Sequence, residues 1–569
     1  MIEYTRVNMK FSEYVYKRPN VEEIGNKLQT LIEEFGKSDA KRQIEIMYEF
    51  FEFTDDFGSM ATIASIRHSI DTKDEFYIEE QKYLDENGPL LQNYFYGFSM
   101  LAFNSPHRKE LKKEFGTHFF EQIEVGLKAF DEKMIPLMIE ENKLSTEYDK
   151  LIASAQIEFN GKTYTLMQMS PFLQHKDREI RHKAQLKVSG FFEENEAKID
   201  EIYDNLVKVR HEMALAKGYE NFIELGYYRM GRTDYNSEDV YKYREQIKEV
   251  VVPAVSKLHR RKAKRLGIKD LKSYDTINFL SGNPTPKGNK DELVNAAKVM
   301  YKEMSKETDE FFTFMLKHDL FDLESKPGKR GGGYCTYIPS YESPFIFANF
   351  NGTSHDVDVL THEAGHAFQV YSSRHHIPSQ RWPGMEGAEI HSMSMEFFAW
   401  PWIPLFFKED SEKYYFSHLS STISFLPYGA LVDEFQHEVY KNPHLTSAER
   451  KETWRRLEKI YLPNKDYGDD HFMEKGTYWF RQGHIFSSPF YYIDYTLAQV
   501  LAFQYWILNR EDHKKAWESY YKLCTLGGTK GFVGLIKESG LNNPFVDGTI
   551  KKTIKPLMEF LDSIDDMKL

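Results

Sequence analysis

Val359 to Gln369 reads V-L-T-H-E-A-G-H-A-F-Q, and within it His362, Glu363 and His366 spell H-E-x-x-H. Residues four apart project from one face of a helix, so His362 and His366 can present two imidazoles to a single metal ion. Glu363 stands beside them, where its carboxylate can hold a water. The surrounding pattern is helical: Leu360, Ala364, Ala367 or Phe368, and Tyr371 form an apolar stripe suited to a core, with the histidines facing elsewhere. Thr353 followed by Asp356 reads as the start signal, a capping box in its Asp form. Two histidines off the apolar stripe of a buried helix point to metal ligation rather than packing.

Working outward, 569 residues exceed what one hydrophobic core organises, so two or more subdomains are expected. Aromatic residues make up 15% of the chain, enough that many must line cores or a groove. The formal net charge of −13 argues against a general nucleic-acid binder, which needs a large basic face. The best basic run, His259 to Arg265 (H-R-R-K-A-K-R), falls in a helical stretch and reads as a solvated face. The only two cysteines, Cys335 and Cys524, exclude a disulfide framework and a thiolate zinc site and suit a reducing compartment. Residues 1–11 carry Glu3 and Arg6 and contain no apolar leader core. The longest uncharged apolar run, Phe397 to Phe407, is too short for a bilayer and holds Pro401 and Pro404. A soluble cytoplasmic protein is therefore expected, with no membrane partner.

From about Val21 to Glu141 apolar residues recur with helical period, with loops expected at Gly36-Lys37-Ser38, Asn87-Gly88-Pro89 and Asn104-Ser105-Pro106. Gln156 to Leu166 interrupts this as two alternating runs joined by Asn160-Gly161, a hairpin. Helical period resumes from about Lys176, with a loop at Ser281 to Gly288 and further helix to Leu320. Beyond Leu323 the texture changes: Lys326 to Gly333 is a glycine loop without phosphate-cradle spacing, and Tyr334 to Ile338 and Pro344 to Phe350 read as strands. An extended peptide can bind by adding a strand to an exposed sheet edge, and Phe345 to Phe350, with Phe347, Ala348 and Asn349 at its centre, is where that edge is expected.

A catalytic zinc takes three protein ligands and keeps a fourth position for water. A third histidine in the pattern H-E-x-x-H-x-x-G-x-x-H is absent, because Gln369 and Ser372 occupy the Gly and His places. His375 and His376 lie at a helix end before Pro378. Better candidates lie on the helix expected after Pro383-Gly384: Glu386, Glu389, His391 and Glu396. Glu389 and Glu396 are two turns apart on one face, so one could bind metal while the other orients a metal-bound histidine. The residues alone leave that choice open.

H-E-A-G-H-A-F-Q together with A-E-I-H-S-M-S-M-E-F-F, Ala388 to Phe398, resembles the M3 metallopeptidases, in particular the oligoendopeptidase F and Pz-peptidase branch. The resemblance implies Glu389 as third zinc ligand, which leaves Glu396 as the carboxylate that orients a metal-bound histidine. It extends to Gly483-His484 and to Pro489 through Tyr495, implying that His484 and a tyrosine contact the substrate and the oxyanion, with Tyr495 preferred, then Tyr492, then Tyr491. One helix does not aim three tyrosines at one point, so at least one is expected in the core. D-R-E-I-R-H-K-A, Asp177 to Ala184, is a weaker likeness. The implied fold is mainly α: a multi-helix shell of two subdomains around a deep substrate channel, with a small β-sheet beside the zinc helix. The expected division is 1–185, a helical region with the hairpin near 156–166, and 186–569, the catalytic region. The implied activity is endopeptidase cleavage of short unfolded peptides with one Zn²⁺ per chain and Glu363 as general base. A peptidyl-dipeptidase or carboxypeptidase is the alternative within the same chemistry, though no motif supplies a cation for a substrate carboxylate. A non-catalytic peptide-binding protein with a vestigial zinc site is the alternative from another class; retention of Glu363 argues against it, since a structural zinc needs no base.

Overall fold

The structure is a computed structural model that describes residues 9–326 and 328–569. Residues 1–8, read above for a leader, and Pro327 of the glycine loop lie outside the described residues. The fold is mainly helical. In chain order, and among further helices, it forms α1 (Val21–Phe35), α2 (Ala40–Ile70), α3 (Glu75–Asn104), a hairpin β1 (Ile157–Phe159) and β2 (Lys162–Tyr164), and α4 (Val252–Leu266). Then come β3 (Phe321–Glu324), β4 (Tyr334–Ile338), β5 (Ser343–Phe350), α5 (His355–Ser373), α6 (Met385–Phe398), α7 (Ser411–Lys441) and α8 (Tyr492–Glu511). Contacts gather the chain into two compact units. One takes the stretch up to Leu127 with Pro284–Ser411 and Leu508–Leu541; the other takes Lys128–Asn283, Glu412–Ile507 and Asn542–Leu569. The expected boundary after residue 185 falls inside the second of these.

In the first unit, α1, α2 and α3 pack through Leu28, Phe35, Ile46, Met47, Phe50, Leu91 and Phe98. The Phe50 and Phe98 rings stack at 4.1 Å. The expected loops at 36–38 and after Asn104 are present, but α3 runs through Asn87-Gly88-Pro89 without a break. Leu84, Leu91 and Phe98, two turns apart in succession, are all buried, and that packing stripe outweighs the local breakers. The hairpin has the expected register, with Ile157 opposite Tyr164. Its turn residues Asn160 and Gly161 both have positive φ, 50° and 76°, the backbone a two-residue primed turn requires.

The three-stranded sheet has the order β3-β5-β4. β5 pairs parallel with β3 and antiparallel with β4, so the stretch expected as the exposed edge is the central strand. Its run from Ser343 to Ala348 is buried on both faces, the mark of an interior strand. Phe347 and Ala348 are fully buried, and the Asn349 amide donates to the carbonyls of Arg330 and Gly332. The edge on the far side of the sheet from β3 is β4. β3 itself, F-D-L-E, is an element that the sequence reading missed.

The basic run also differs from expectation. Arg261 and Arg265 on α4 pair with Asp566, and only part of that face is solvated. Both cysteines are free, and among the described residues no helix is long and apolar enough to cross a membrane.

Candidate metal centre

α5 carries the H-E-x-x-H motif and packs on both β5 and α6. Leu360, Ala364, Ala367 and Phe368 are buried as their spacing predicted. Its start differs from the expected capping box: the N-cap is Ser354, and Asp356 instead accepts from the backbone N–H groups of Asn351 (2.9 Å) and Gly352 (2.7 Å), tying down the preceding loop. Gly365 sets the spacing of α5 and α6. A Cβ there would lie 2.7 Å from both the His391 carbonyl oxygen and the Ser392 Cα. Only a residue without a side chain lets α6 come this close, and α6 carries the third ligand.

His362, His366 and Glu389 each offer one donor atom, all within 4.8 Å of one another. His362 Nε2 lies 3.3 Å and His366 Nε2 3.6 Å from Glu389 Oε2. A tetrahedral ion with bonds of about 2.0–2.1 Å holds its ligand atoms roughly 3.3 Å apart, so this donor set fits one. His362 Nδ1 is 2.7 Å from Glu396 Oε1, an arrangement that fixes the ring and turns Nε2 toward the centre. The Ser392 hydroxyl donates to Glu389 Oε2 at 2.9 Å and orients that carboxylate. Burial alone would raise Glu389, yet His366 and His362 hold it well below the usual carboxylate range. Burial would lower His362, but Glu389 and Glu396 override it and raise that imidazole well above its ordinary value. Ligation needs neutral imidazoles, so a metal ion bound here would displace the proton from His362.

Glu363 is buried, and burial is the main reason its carboxyl lies above the ordinary value. The Cys335 backbone N–H faces it from β4. A cavity of about 690 Å³ runs beside that strand, with Tyr334, Cys335 and Thr336 on one wall and Phe57, Thr62 and Ser65 of α2 on another. Of the other candidates, His391 is fully buried with Nδ1 2.8 Å from the Gly387 carbonyl, and burial pushes it down to about 4. Glu386 is turned back toward Gly384, and His376 Nε2 meets the Thr525 carbonyl.

The second unit holds the other predicted residues. The rings of Tyr491, Tyr492 and Tyr495 lie 5.8, 5.0 and 5.9 Å from that of His484. None of the three is a core residue, contrary to expectation: Tyr491 precedes α8 while Tyr492 and Tyr495 share one face of its first turn, so all three reach the same imidazole. α8 begins on a buried ion pair in which Arg232 donates to Asp494 (2.7 Å) and to the Phe490 carbonyl (2.6 Å). Gln482, which sequence reading did not single out, donates from Nε2 to His484 Nδ1 at 2.8 Å and accepts from the Tyr428 hydroxyl at 2.8 Å. With Nδ1 accepting, the ring proton sits on Nε2, and burial holds the imidazole below its ordinary value.

The comparisons with known proteins bear on the family and the fold. The solved structure of Pz peptidase A with an inhibitor is 49% identical, with TM-score 0.93, covering 98% of this chain and 100% of that one. An oligoendopeptidase F homolog of Borreliella burgdorferi is 25% identical over 460 residues, 75% of this chain and 74% of the relative. One from Lactococcus lactis is 22% identical over 366 residues, 60% of this chain and 59% of the relative. A peptidase M3 N-terminal domain model matches residues 11–130. A peptidase family M3 model matches residues 172–553, a span that contains the whole metal centre, and on that match the chain belongs to peptidase family M3.

Proposed function

We propose that the protein is a zinc-dependent oligoendopeptidase that hydrolyses internal bonds of short unfolded peptides. The observation carrying this reading is the convergence of His362 Nε2, His366 Nε2 and Glu389 Oε2, with the Glu363 carboxyl beside them at the open side of β4. A zinc ion bound there supplies a Lewis acid that lowers the pKa of water toward about 7 and polarises a carbonyl. Glu363 takes the proton of the attacking water and delivers it to the leaving amine nitrogen. The edge role expected of Phe347, Ala348 and Asn349 passes to β4, whose backbone can pair with an extended substrate and hold its scissile carbonyl in register. Backbone pairing makes little demand on side-chain identity, which suits a range of peptides. His484, held with Nε2–H available by Gln482, and Tyr495 or Tyr492 keep the role the resemblance implies, as donors to the oxyanion; one well-placed donor of this kind is worth about 3 kcal/mol.

The test is mass-spectrometric mapping of the products from a peptide blocked at both ends, with and without a chelator. Internal cleavage abolished by the chelator is expected. Cleavage only of peptides with a free C-terminus, at a fixed distance from it, would replace this reading with an exopeptidase one, and binding without cleavage would replace it with the non-catalytic one.

A further inference from the structure

Within the second unit, His484 and the three tyrosines stand on either side of a tight turn. The Tyr491 N–H donates to the Ser488 carbonyl at 3.2 Å, with Pro489 and Phe490 between them. Proline in second place and a positive φ in third are the pattern of a type II turn, whose third residue is ordinarily glycine or asparagine. Phe490 fills that place with φ 67°. Among the described residues four other non-glycine residues have positive φ, and all four, Asn160, Asp319, Glu342 and Lys408, are polar. A bulky aromatic residue in this region is strained, and such strain persists only where the surroundings over-determine it.

The surroundings here do so, entirely inside that unit. The Phe490 ring is fully buried and lies 4.8 Å from the ring of His437, 5.4 Å from Tyr440 and 5.5 Å from Tyr227. Its seat is Gly226 on the helix Phe222–Arg229, where a Cβ would come within 2.6 Å of the ring. The backbone is held as well: the Phe490 N–H donates to Gln436 Oε1 at 3.0 Å, and its carbonyl accepts from Arg232 at 2.6 Å. Gln436 and Arg232 are themselves buried, so solvent does not compete for either bond. Directly after the turn comes the segment with Tyr491, Tyr492 and Tyr495, and Arg232 also binds Asp494 within it. Thr496 then seats on Gly429 of α7, which has no room for a Cβ. A phenylalanine could fill this core from an ordinary backbone. What the left-handed φ adds is direction, because it turns the chain back so that the tyrosines return to the imidazole just passed.

We propose that Phe490, seated on Gly226 and held by Gln436 and Arg232, is the positioning residue of the cluster of His484 and the tyrosines: it sets the direction in which Tyr491, Tyr492 and Tyr495 leave the turn, and with it their distances to the imidazole. For its effect on turnover the proposal rests on the donor role given above to His484 and a tyrosine. Phe490 itself donates nothing to the reaction and acts only through the groups it places.

The test compares Gly226→Ala, Phe490→Leu and the double variant with wild type, all zinc-loaded, by two readouts. The first is the ring NMR signal of His484 in histidine-labelled protein, assigned by its loss in His484→Gln. Tyrosine rings 5.0–5.9 Å away make that signal a report on their positions. The second is kcat and KM for the peptide blocked at both ends. In Gly226→Ala the added methyl displaces the Phe490 ring, so the His484 signal should shift and kcat should fall about 10- to 100-fold, with KM little changed and zinc content unaltered. Leucine makes room for that methyl, so the double variant should recover part of what Gly226→Ala loses, whereas two unconnected structural losses would add. An unshifted His484 signal in every single variant that folds, or losses in kcat that simply add in the double variant, would overturn the proposal. A shifted signal with unchanged kcat would keep the positioning role and remove the donor role from the tyrosines. If wild type cleaves no peptide, the hydrolytic reading fails while the His484 signal still decides whether Phe490 positions the cluster.

Discussion

At the scale of single residues, the metal centre was legible because helix geometry is periodic. His362 and His366 four apart, and Glu389 and Glu396 seven apart, were placed on their faces by counting, and the structure brings Glu389 to the imidazoles and Glu396 behind His362. Counting did not separate the roles of the two glutamates, because both lie on one face. Removing the orienting carboxylate gives the first prediction. Glu396→Ala leaves all three ligands in place but frees the His362 ring, so metal affinity should fall about 10- to 100-fold in a competition titration with a chromophoric chelator. Unchanged affinity would mean the 2.7 Å contact has no orienting effect. Gln482 and Ser392 escaped the sequence reading for the opposite reason. Their partners, His484 and Glu389, are found by side-chain direction, and neither residue belongs to a periodic pattern or a motif.

At the scale of elements, the hairpin and both helices of the metal centre were read correctly where a local signal and the tertiary environment agree. Asn160-Gly161 supplies the turn its strands need, and Pro383-Gly384 precedes α6 as expected. The errors fall where they disagree. Asn87-Gly88-Pro89 looks like a loop but is carried through α3 by Leu84, Leu91 and Phe98. Phe345 to Phe350 is expected as an edge, yet its apolar run is the pattern of a central strand, and the short β3 that flanks it has no strong signal of its own. The approach of α5 to α6 depends on Gly365, and this gives the second prediction. Gly365→Ala puts a methyl group 2.7 Å from the α6 backbone, so the helices must part. Overpacking of this kind costs about 1–3 kcal/mol, to be read as a lowered melting temperature of the metal-free protein, with weakened metal binding because Glu389 moves with α6. A variant that matches wild type in both measurements would show that the contact is not limiting.

At the scale of the whole molecule, composition bounded the answer and the family match supplied the rest. The net charge of −13 argues against a general nucleic-acid binder, and two distant cysteines against a disulfide framework or a thiolate zinc site. The partition into two units, each drawn from separate stretches of the chain, has no marker in the sequence because it depends on contacts between distant segments. Stability against acid also belongs to this scale. Burial would raise Asp433, but His437 and Arg244, the latter donating at 2.6 Å, hold it down at about 2. The unfolded carboxyl titrates near about 3.9, so the unfolded chain takes up the proton first as pH falls. The stabilisation, of order 2–3 kcal/mol, is therefore present above about pH 4 and lost as pH falls through about 2. Asp433→Asn should be less stable than wild type at pH 7, by about 2–3 kcal/mol since Arg244 keeps only Glu434 at 3.8 Å as an acidic partner, and should lose less further stability between pH 4 and 2 in denaturant titrations. A parallel loss in both proteins would contradict the assignment. The most direct measurement for the account as a whole is metal content and peptide turnover of Glu363→Gln, determined on one preparation. The account predicts about one zinc per chain, as in wild type, with turnover reduced at least 10³-fold; a zinc-loaded variant that still cleaves peptides at a substantial fraction of the wild-type rate would contradict it.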